Sequence, residues 1–212
     1  MEGSLLIEPH YFPSVAYVAL LAQHTENKLE VYEHYPKQTY RNRCYIQGAN
    51  RVQLLSVPVK KTSGKVLTKD VVIDNSVAWR HHHWRTIRSA YGNAPFFDFF
   101  ASDFHDMLFQ KSHFLIDLTI PILTKCLEIL QLPNSRLTHS PHYQKVLTGG
   151  SFDARNVFRT ALPPTWPTFF RPMPYPQVFG KDFVPNLSVI DLLFCEGSQA
   201  NSIIRRSIVY SG

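Results

Sequence analysis

Five stretches of the chain hold residues suited to acid–base or anion-binding chemistry. The first is Glu8-Pro9-His10-Tyr11-Phe12-Pro13. Its two prolines fix a tight loop and push their predecessors toward extended geometry. The loop leaves an apolar run and enters a helix, the place where open α/β sheets put ligands. A helix start there offers N–H donors and a partial positive charge to a phosphate or carboxylate. His10 suits a general acid or base, and Tyr11 a substrate contact. Packing of the turn alone would use the same two rings.

In the second stretch, Lys37 to Arg43, basic and amide groups alternate, and Arg41, Asn42 and Arg43 form a donor set for an oxygen-rich anion. A solvated edge strand would look similar. The third, Pro58-Val59-Lys60-Lys61, ends an apolar run with two ammonium groups, so that Lys60 could reach into a cleft. In the fourth, His81-His82-His83-Trp84, successive residues turn by about 100° on a helix and three adjacent imidazoles cannot share a face. Trp79, His83, Ile87 and Tyr91 share one stripe, which makes His83 the inward histidine and leaves His81 and His82 on the surface. No spaced Cys/His set or HExxH pattern occurs, so no metal is expected. In the fifth, Asn186 to Gly197, Asp191 sits in an otherwise apolar helix. A carboxylate there needs a partner, and an arginine of the earlier stretches is the expected one. A structural ion pair and a catalytic base are both open.

Taken together, these residues describe an acid–base centre. His10 or His83 is the base, Asp191 orients it, and Arg41, Arg43 and Lys60 clamp an anion.

The elements that must position them follow from patterning. Leu5-Leu6-Ile7 reads as a buried strand, and Ser14 caps a helix running to about Gln23. Leu29 to Tyr32 is a second strand. Val52 to Val59 and Val66 to Ile73 form a hairpin about Thr62 to Lys65. Helices are expected over Val77 to Tyr91, with caps available at Asp74, Asn75 or Ser76, and from Pro95 through Leu108. Another covers His113 to Leu130, kinked or split at Pro121. Arg136 to His139 is a short strand. Pro163 to Pro176 is an extended wrapping segment, and Asn186 or Ser188 caps a last helix, Val189 to Phe194. The fold class is α/β (or α+β), a mixed sheet covered by helices, in one domain over 1–212.

Composition narrows the setting. Hydrophobic residues make up 44% and charged residues 18%, far from a disordered chain. No apolar run approaches the ~20 residues of a membrane span. The three cysteines form no CxxC pair and the N-terminus lacks a secretory pattern, so a cytoplasmic protein without disulfides is expected. The net charge of +6 points to an anionic partner. A phosphate-bearing small molecule such as a nucleotide sugar or lipid-linked sugar phosphate is preferred to RNA, for which no motif of recognised spacing appears. Nothing specifies a cofactor or an oligomeric state.

At these same stretches the sequence resembles the WbqC-like family. The matching pieces are Ile-Glu-Pro-His-Tyr-Phe-Pro-Ser at 7–14, Tyr-Arg-Asn-Arg at 40–43 and Leu-Ser-Val-Pro-Val-Lys-Lys at 55–61. Trp79, His83 to Ile87, 89–97, 175–179 and 183–194 follow in the same order. Many members open with His-Gln-Pro-Asn-Tyr where Glu8-Pro9-His10-Tyr11 stands here, and carry Asn-Glu-Gly where this chain has Cys195-Glu196-Gly197. Glu196 is added to the candidate ligand contacts on that ground. The resemblance implies a setting, the genes of O-antigen and other surface polysaccharides. It would suit acyl or aminoacyl transfer to a nucleotide- or lipid-linked sugar. The alternative is a non-catalytic partner in polysaccharide assembly that docks through Pro163 to Phe179.

Overall fold

The structure, a computed structural model, describes residues 4–61, 64–132, 136–145, 147, 150–158 and 168–209. Strand β1 (Ser4–Ile7) runs through the middle of a parallel sheet, and its Leu5, Leu6 and Ile7 are all buried. A strand covered on both faces reads as an unbroken apolar run, and this one does. Helix α1 (Val15–Ala22) follows, then β2 (Glu26–Leu29), which pairs parallel with β1. The chain makes a long excursion before β5 (Arg136–His139) joins the outer side of β2. It then crosses back, and β6 (Phe152–Asp153) takes the free side of β1. The order β5-β2-β1-β6 therefore reverses direction between β1 and β6. In open α/β sheets a crevice forms at that reversal, at the carboxyl ends of the strands.

Within the excursion, β3 (Arg43–Gln47) and β4 (Val52–Ser56) form an antiparallel hairpin across residues 48–51. Of the hairpin expected about Thr62 to Lys65, Thr62 and Ser63 lie outside the described residues, and among the described ones its arms meet at Val59 and Ile73. Pro58, which has no N–H to donate, interrupts the run beyond β4. What survives is a single bridge from Val59 to Ile73, flanked by Lys60 N–H to Val72 O at 2.9 Å and Asp74 N–H to Pro58 O at 2.9 Å. Three helices follow: α2 (Trp79–Tyr91), α3 (Phe97–Phe109) and α4 (Leu115–Ile129). The expected caps of α2 fall short of its start, because Asp74 spends its carboxylate on the N–H and hydroxyl of Ser76. Helix α4 runs through Pro121 as one element and is not split there. The chain closes with α5 (Val189–Glu196) and α6 (Ala200–Arg206), which pack on each other and on α1.

Helices α1 and α5 begin back to back and satisfy each other's first N–H groups. Val15 N–H donates to Leu187 O at 3.0 Å, Ala16 N–H to Asn186 Oδ1 at 2.8 Å, and Tyr17 N–H to Ser14 Oγ at 3.4 Å. In return Val189 N–H donates to Pro13 O at 2.7 Å, and the Ser188 hydroxyl to Phe12 O at 3.0 Å. Asn186 holds a left-handed backbone with φ of 56°, which asparagine tolerates better than most residues.

Asn186→Ala removes the side-chain cap of α1 and places alanine in that conformation. We expect a loss of roughly 2 kcal/mol in urea denaturation. Asn186→Gly, which accepts the backbone angle, should lose less. A parent-like midpoint for the alanine variant would contradict the mutual-capping account.

Candidate active site

Each parallel strand delivers a polar side chain at or just beyond its carboxyl end. Glu8 follows β1, Glu30 follows β2, Ser140 follows β5, and Arg155 and Asn156 lie just past β6. Glu8 and Glu30 have no exposed surface. Such burial is tolerable only with charge partners and hydrogen bonds.

The partners are two guanidinium groups. Arg41, 1% exposed, arrives from the loop between β2 and β3 and bridges two carboxylates. Its Nε donates to Glu33 Oε1 at 2.8 Å, its Nη2 makes a further short contact to the same oxygen, and its Nη1 lies 3.4 Å from Glu8 Oε1. It also donates to Thr39 Oγ1 and to Asn156 Oδ1, both at 3.3 Å. Asn156 closes the circuit, its N–H donating to Glu8 Oε2 at 3.1 Å. Arg155 bridges Asp153, at 2.6 and 2.9 Å, and Glu30 Oε2, at 3.5 Å. Glu30 Oε1 accepts from Tyr32 N–H at 2.8 Å and from the Ser140 hydroxyl at 3.0 Å.

His10 lies behind this layer. Its Nε2 is 3.4 Å from Glu8 Oε1, and its ring packs between Tyr17 and Tyr40 with Phe158 edge-on. Burial depresses its pKa below the usual imidazole value, against the pull of Glu8. The neutral tautomer protonated at Nε2 is the one able to donate to Glu8.

In front of the cluster lies a cavity of about 650 Å³, lined by Tyr32, Glu33, His34, Pro36, Leu67, Tyr143 and Asn156. Glu33 and Asn156 thus belong both to the cavity wall and to the shell of Arg41. The two carboxylates sharing that guanidinium differ. Burial works to raise Glu8, but the His10 hydrogen bond and the Arg41 charge outweigh it and bring the carboxyl down to about 2. For Glu33 burial prevails, with Glu8 and Glu30 adding negative charge nearby, and its pKa lies above the ordinary value despite Arg41. A raised carboxyl facing a cavity is suited to accepting and returning a proton.

The other expected residues lie elsewhere. Tyr11 and His83 pair with each other, hydroxyl to Nδ1 at 2.9 Å, both buried. Among the described residues Asp191 meets no arginine: it accepts from Tyr91 at 2.8 Å, Tyr175 at 2.6 Å and Gln177 at 2.9 Å. Phenols and an amide neutralise its hydrogen-bonding demand without a cation, and burial still leaves its pKa raised. The single centre expected from His10, His83 and Asp191 is therefore not assembled. Asn42 donates to Val57 O at 2.8 Å and braces the hairpin. Arg43 opens β3 half-buried, and Lys60 is exposed near Asp74. Glu196 ends α5 half-buried, its pKa raised by burial against the charge of Arg206. The N-terminus of α1 is filled by residues 186–187 and offers no anion site. The Arg41 guanidinium is engaged by the carboxylates of Glu8 and Glu33.

Glu8, Glu30, Glu33, Ser140, Arg155 and Asn156 were not singled out by sequence reasoning. Only a strand-end register could have shown them, and β2 ends at Leu29, where the sequence pattern starts a strand. Among the described residues no three His, Cys, Asp or Glu side chains are grouped so that they could hold a metal ion. No helix among them is long and apolar enough to cross a membrane.

A model of the WbqC-like protein family matches residues 8–155 and 158–203. The chain belongs to this family. The matched spans begin at Glu8 and include Glu30, Glu33, Arg41 and Arg155. This WbqC-like chain is also similar to a protein of Mycobacterium tuberculosis whose name describes it as uncharacterized. The two are 24% identical over 230 residues, covering 97% of this chain and 98% of that protein. No solved structure matches.

Burial depresses the His83 pKa to about 4 from an ordinary 6.5, with His82 adding repulsion. The unfolded chain therefore takes up this proton first as the pH falls. The contribution is intact above pH 6.5 and lost between 6.5 and 4, by roughly 3 kcal/mol. His83→Gln can still bond Tyr11 but cannot titrate. Urea midpoints at pH 7, 5.5 and 4 should fall less steeply for this variant than for the parent, and equal slopes would contradict the assignment.

Proposed function

We propose that this chain, acting as one domain over 1–212, is a cytoplasmic group-transfer enzyme. Its substrate is a nucleotide- or lipid-linked sugar of surface-polysaccharide or O-antigen assembly. One observation carries the reading: the cavity sits on the carboxyl ends of the strands beside their reversal, with the raised Glu33 carboxyl in its wall. The family's setting among polysaccharide genes supports the substrate class.

In the step, a hydroxyl or amine of the sugar attacks the acyl or aminoacyl carbon of an activated donor. The new bond forms from the sugar heteroatom to that carbon. The donor's bond to its leaving group breaks and the electron pair leaves with it, while the proton on the attacking atom passes to the Glu33 carboxylate. Arg41 holds that carboxylate in place, and Glu8 keeps Arg41 there by remaining ionised. His10 touches the cavity nowhere and is a positioning residue acting through Glu8.

A thermal-shift series with nucleotides, nucleotide sugars and aminoacyl donors tests this. A nucleotide sugar should raise the Tm of the parent and leave Leu67→Trp, whose indole occupies the cavity, unmoved. Glu33→Gln should lose about 100-fold or more in kcat at saturating substrate. Stabilisation of Leu67→Trp equal to that of the parent places the site elsewhere and rejects the proposal. Binding without a Glu33-dependent reaction leaves the non-catalytic alternative.

A further inference from the structure

We infer that the sugar seated in this cavity is an amino sugar with a free primary amine, bound amine-inward against Glu33 with its phosphate-bearing end toward solvent. The inference rests on the group-transfer reading for its biological sense and on the charge of the cavity for its chemistry.

Among the described residues the buried network holds three carboxylates, Glu8, Glu30 and Glu33, but only two guanidinium groups, Arg41 and Arg155, the second of which also serves the solvent-exposed Asp153. Each guanidinium is already shared between two carboxylates, Arg41 between Glu8 and Glu33, Arg155 between Asp153 and Glu30. The network is therefore short of positive charge. Glu30 Oε2 shows the shortage directly: it is fully buried and accepts no hydrogen bond, with only the Arg155 contact at 3.5 Å beside it. The raised pKa of Glu33 agrees with this. A cation arriving in the cavity would relieve the shortage, and in a partly dry site its attraction to Glu33 is larger than in water.

A phosphate meets the opposite situation. Of the seven lining residues only His34 is basic. Lys69, which lies over the Tyr32 ring at 5.6 Å, is paired with Asp70 at 2.8 Å. Among the described residues no lysine or arginine lines the cavity to neutralise a dianion, and Arg155, which lies over the Tyr143 ring at 5.1 Å, is paired with Asp153 and Glu30.

The rest of the wall fits a sugar ring. Tyr32 and Tyr143 present aromatic surface, Leu67 and Pro36 are apolar, and Asn156 supplies an amide. Its carbonyl oxygen is used by Arg41, which leaves the NH2 group for a ligand hydroxyl. Aromatic faces suit both the C–H surface of a pyranose and an ammonium group. At about 650 Å³ the space lies within the range of small-molecule sites.

Saturation-transfer NMR titrations at pH 7 with glucosamine, N-acetylglucosamine and glucose 1-phosphate test the inference on the parent, Glu33→Gln and Tyr143→Ala. Tyr143 is half exposed, so the second variant keeps the question answerable if the first does not fold. Glucosamine should bind the parent at least 10-fold tighter than N-acetylglucosamine. That preference should fall to near parity in Glu33→Gln, and Tyr143→Ala should weaken every sugar. Equal or tighter binding of N-acetylglucosamine or glucose 1-phosphate, lost in Tyr143→Ala, overturns the amine but keeps a sugar site. Glucosamine binding that neither variant changes overturns the placement. Absence of any sugar binding to the parent overturns this inference and the group-transfer reading together.

Discussion

A guanidinium with 1% of its surface exposed must be met by anions, and Arg41 is met by Glu8 and Glu33. These three groups come from the end of β1 and from both ends of the loop that connects β2 to β3. Removing either carboxylate would leave a buried charge less than compensated, a far larger penalty than the net worth of the pair. The ion cluster therefore acts as a register device: it specifies where the loop crosses the sheet more than it adds stability. Tyr32, Glu33 and His34 line the cavity because the loop is pinned at Arg41.

The same loop-to-sheet geometry explains why plausible catalytic residues became framework. The turn at 8–13 enters α1, but the N–H groups at that entrance are consumed by residues 186–187. An anion site at a helix start and a mutual cap with a second helix need the same donors, and only one can have them. Asp191 follows the same logic. Its two tyrosine partners and Gln177 come from α2 and from the strand-like return after residue 170, so the carboxylate staples three parts of the chain. The described part of the proline-rich segment is held in this way, with Tyr175 and Phe169 buried rather than presented to a partner. Residues 163–167 of that segment lie outside the described residues.

Much of the fold was legible where one residue pattern admits one answer. The Leu5 to Ile7 run, the Ser14 cap, the inward stripe of Trp79, His83, Ile87 and Tyr91, and the Ser188 cap all rest on local sterics and periodicity. β2 did not, because Glu26-Asn27-Lys28-Leu29 is a polar string that becomes a strand only between β1 and β5. β6 is two residues long, and α6 carries its burial on Ala200, Ile203 and Ile204 alone. The candidate site was legible in half. His10 and Arg41 are local to motifs, but their partners Glu8, Glu33, Glu30 and Arg155 meet only through strand order, which no local pattern encodes.

A basic chain enclosing an acid-rich hollow has a physical consequence. The chain carries 22 Lys and Arg against 16 Asp and Glu, yet among the described residues the cluster behind the cavity holds three buried carboxylates, Glu8, Glu30 and Glu33, and two guanidiniums. Its carboxylates are withdrawn from solvent, so the positive excess is concentrated on the surface. On the proposed reading, the long-range field would draw in an anionic carrier, while the short-range field at the cavity floor would turn its phosphate away. A molecule cationic at one end and anionic at the other satisfies both fields in only one orientation. The charge arrangement can thus orient a substrate before any hydrogen bond to it has formed.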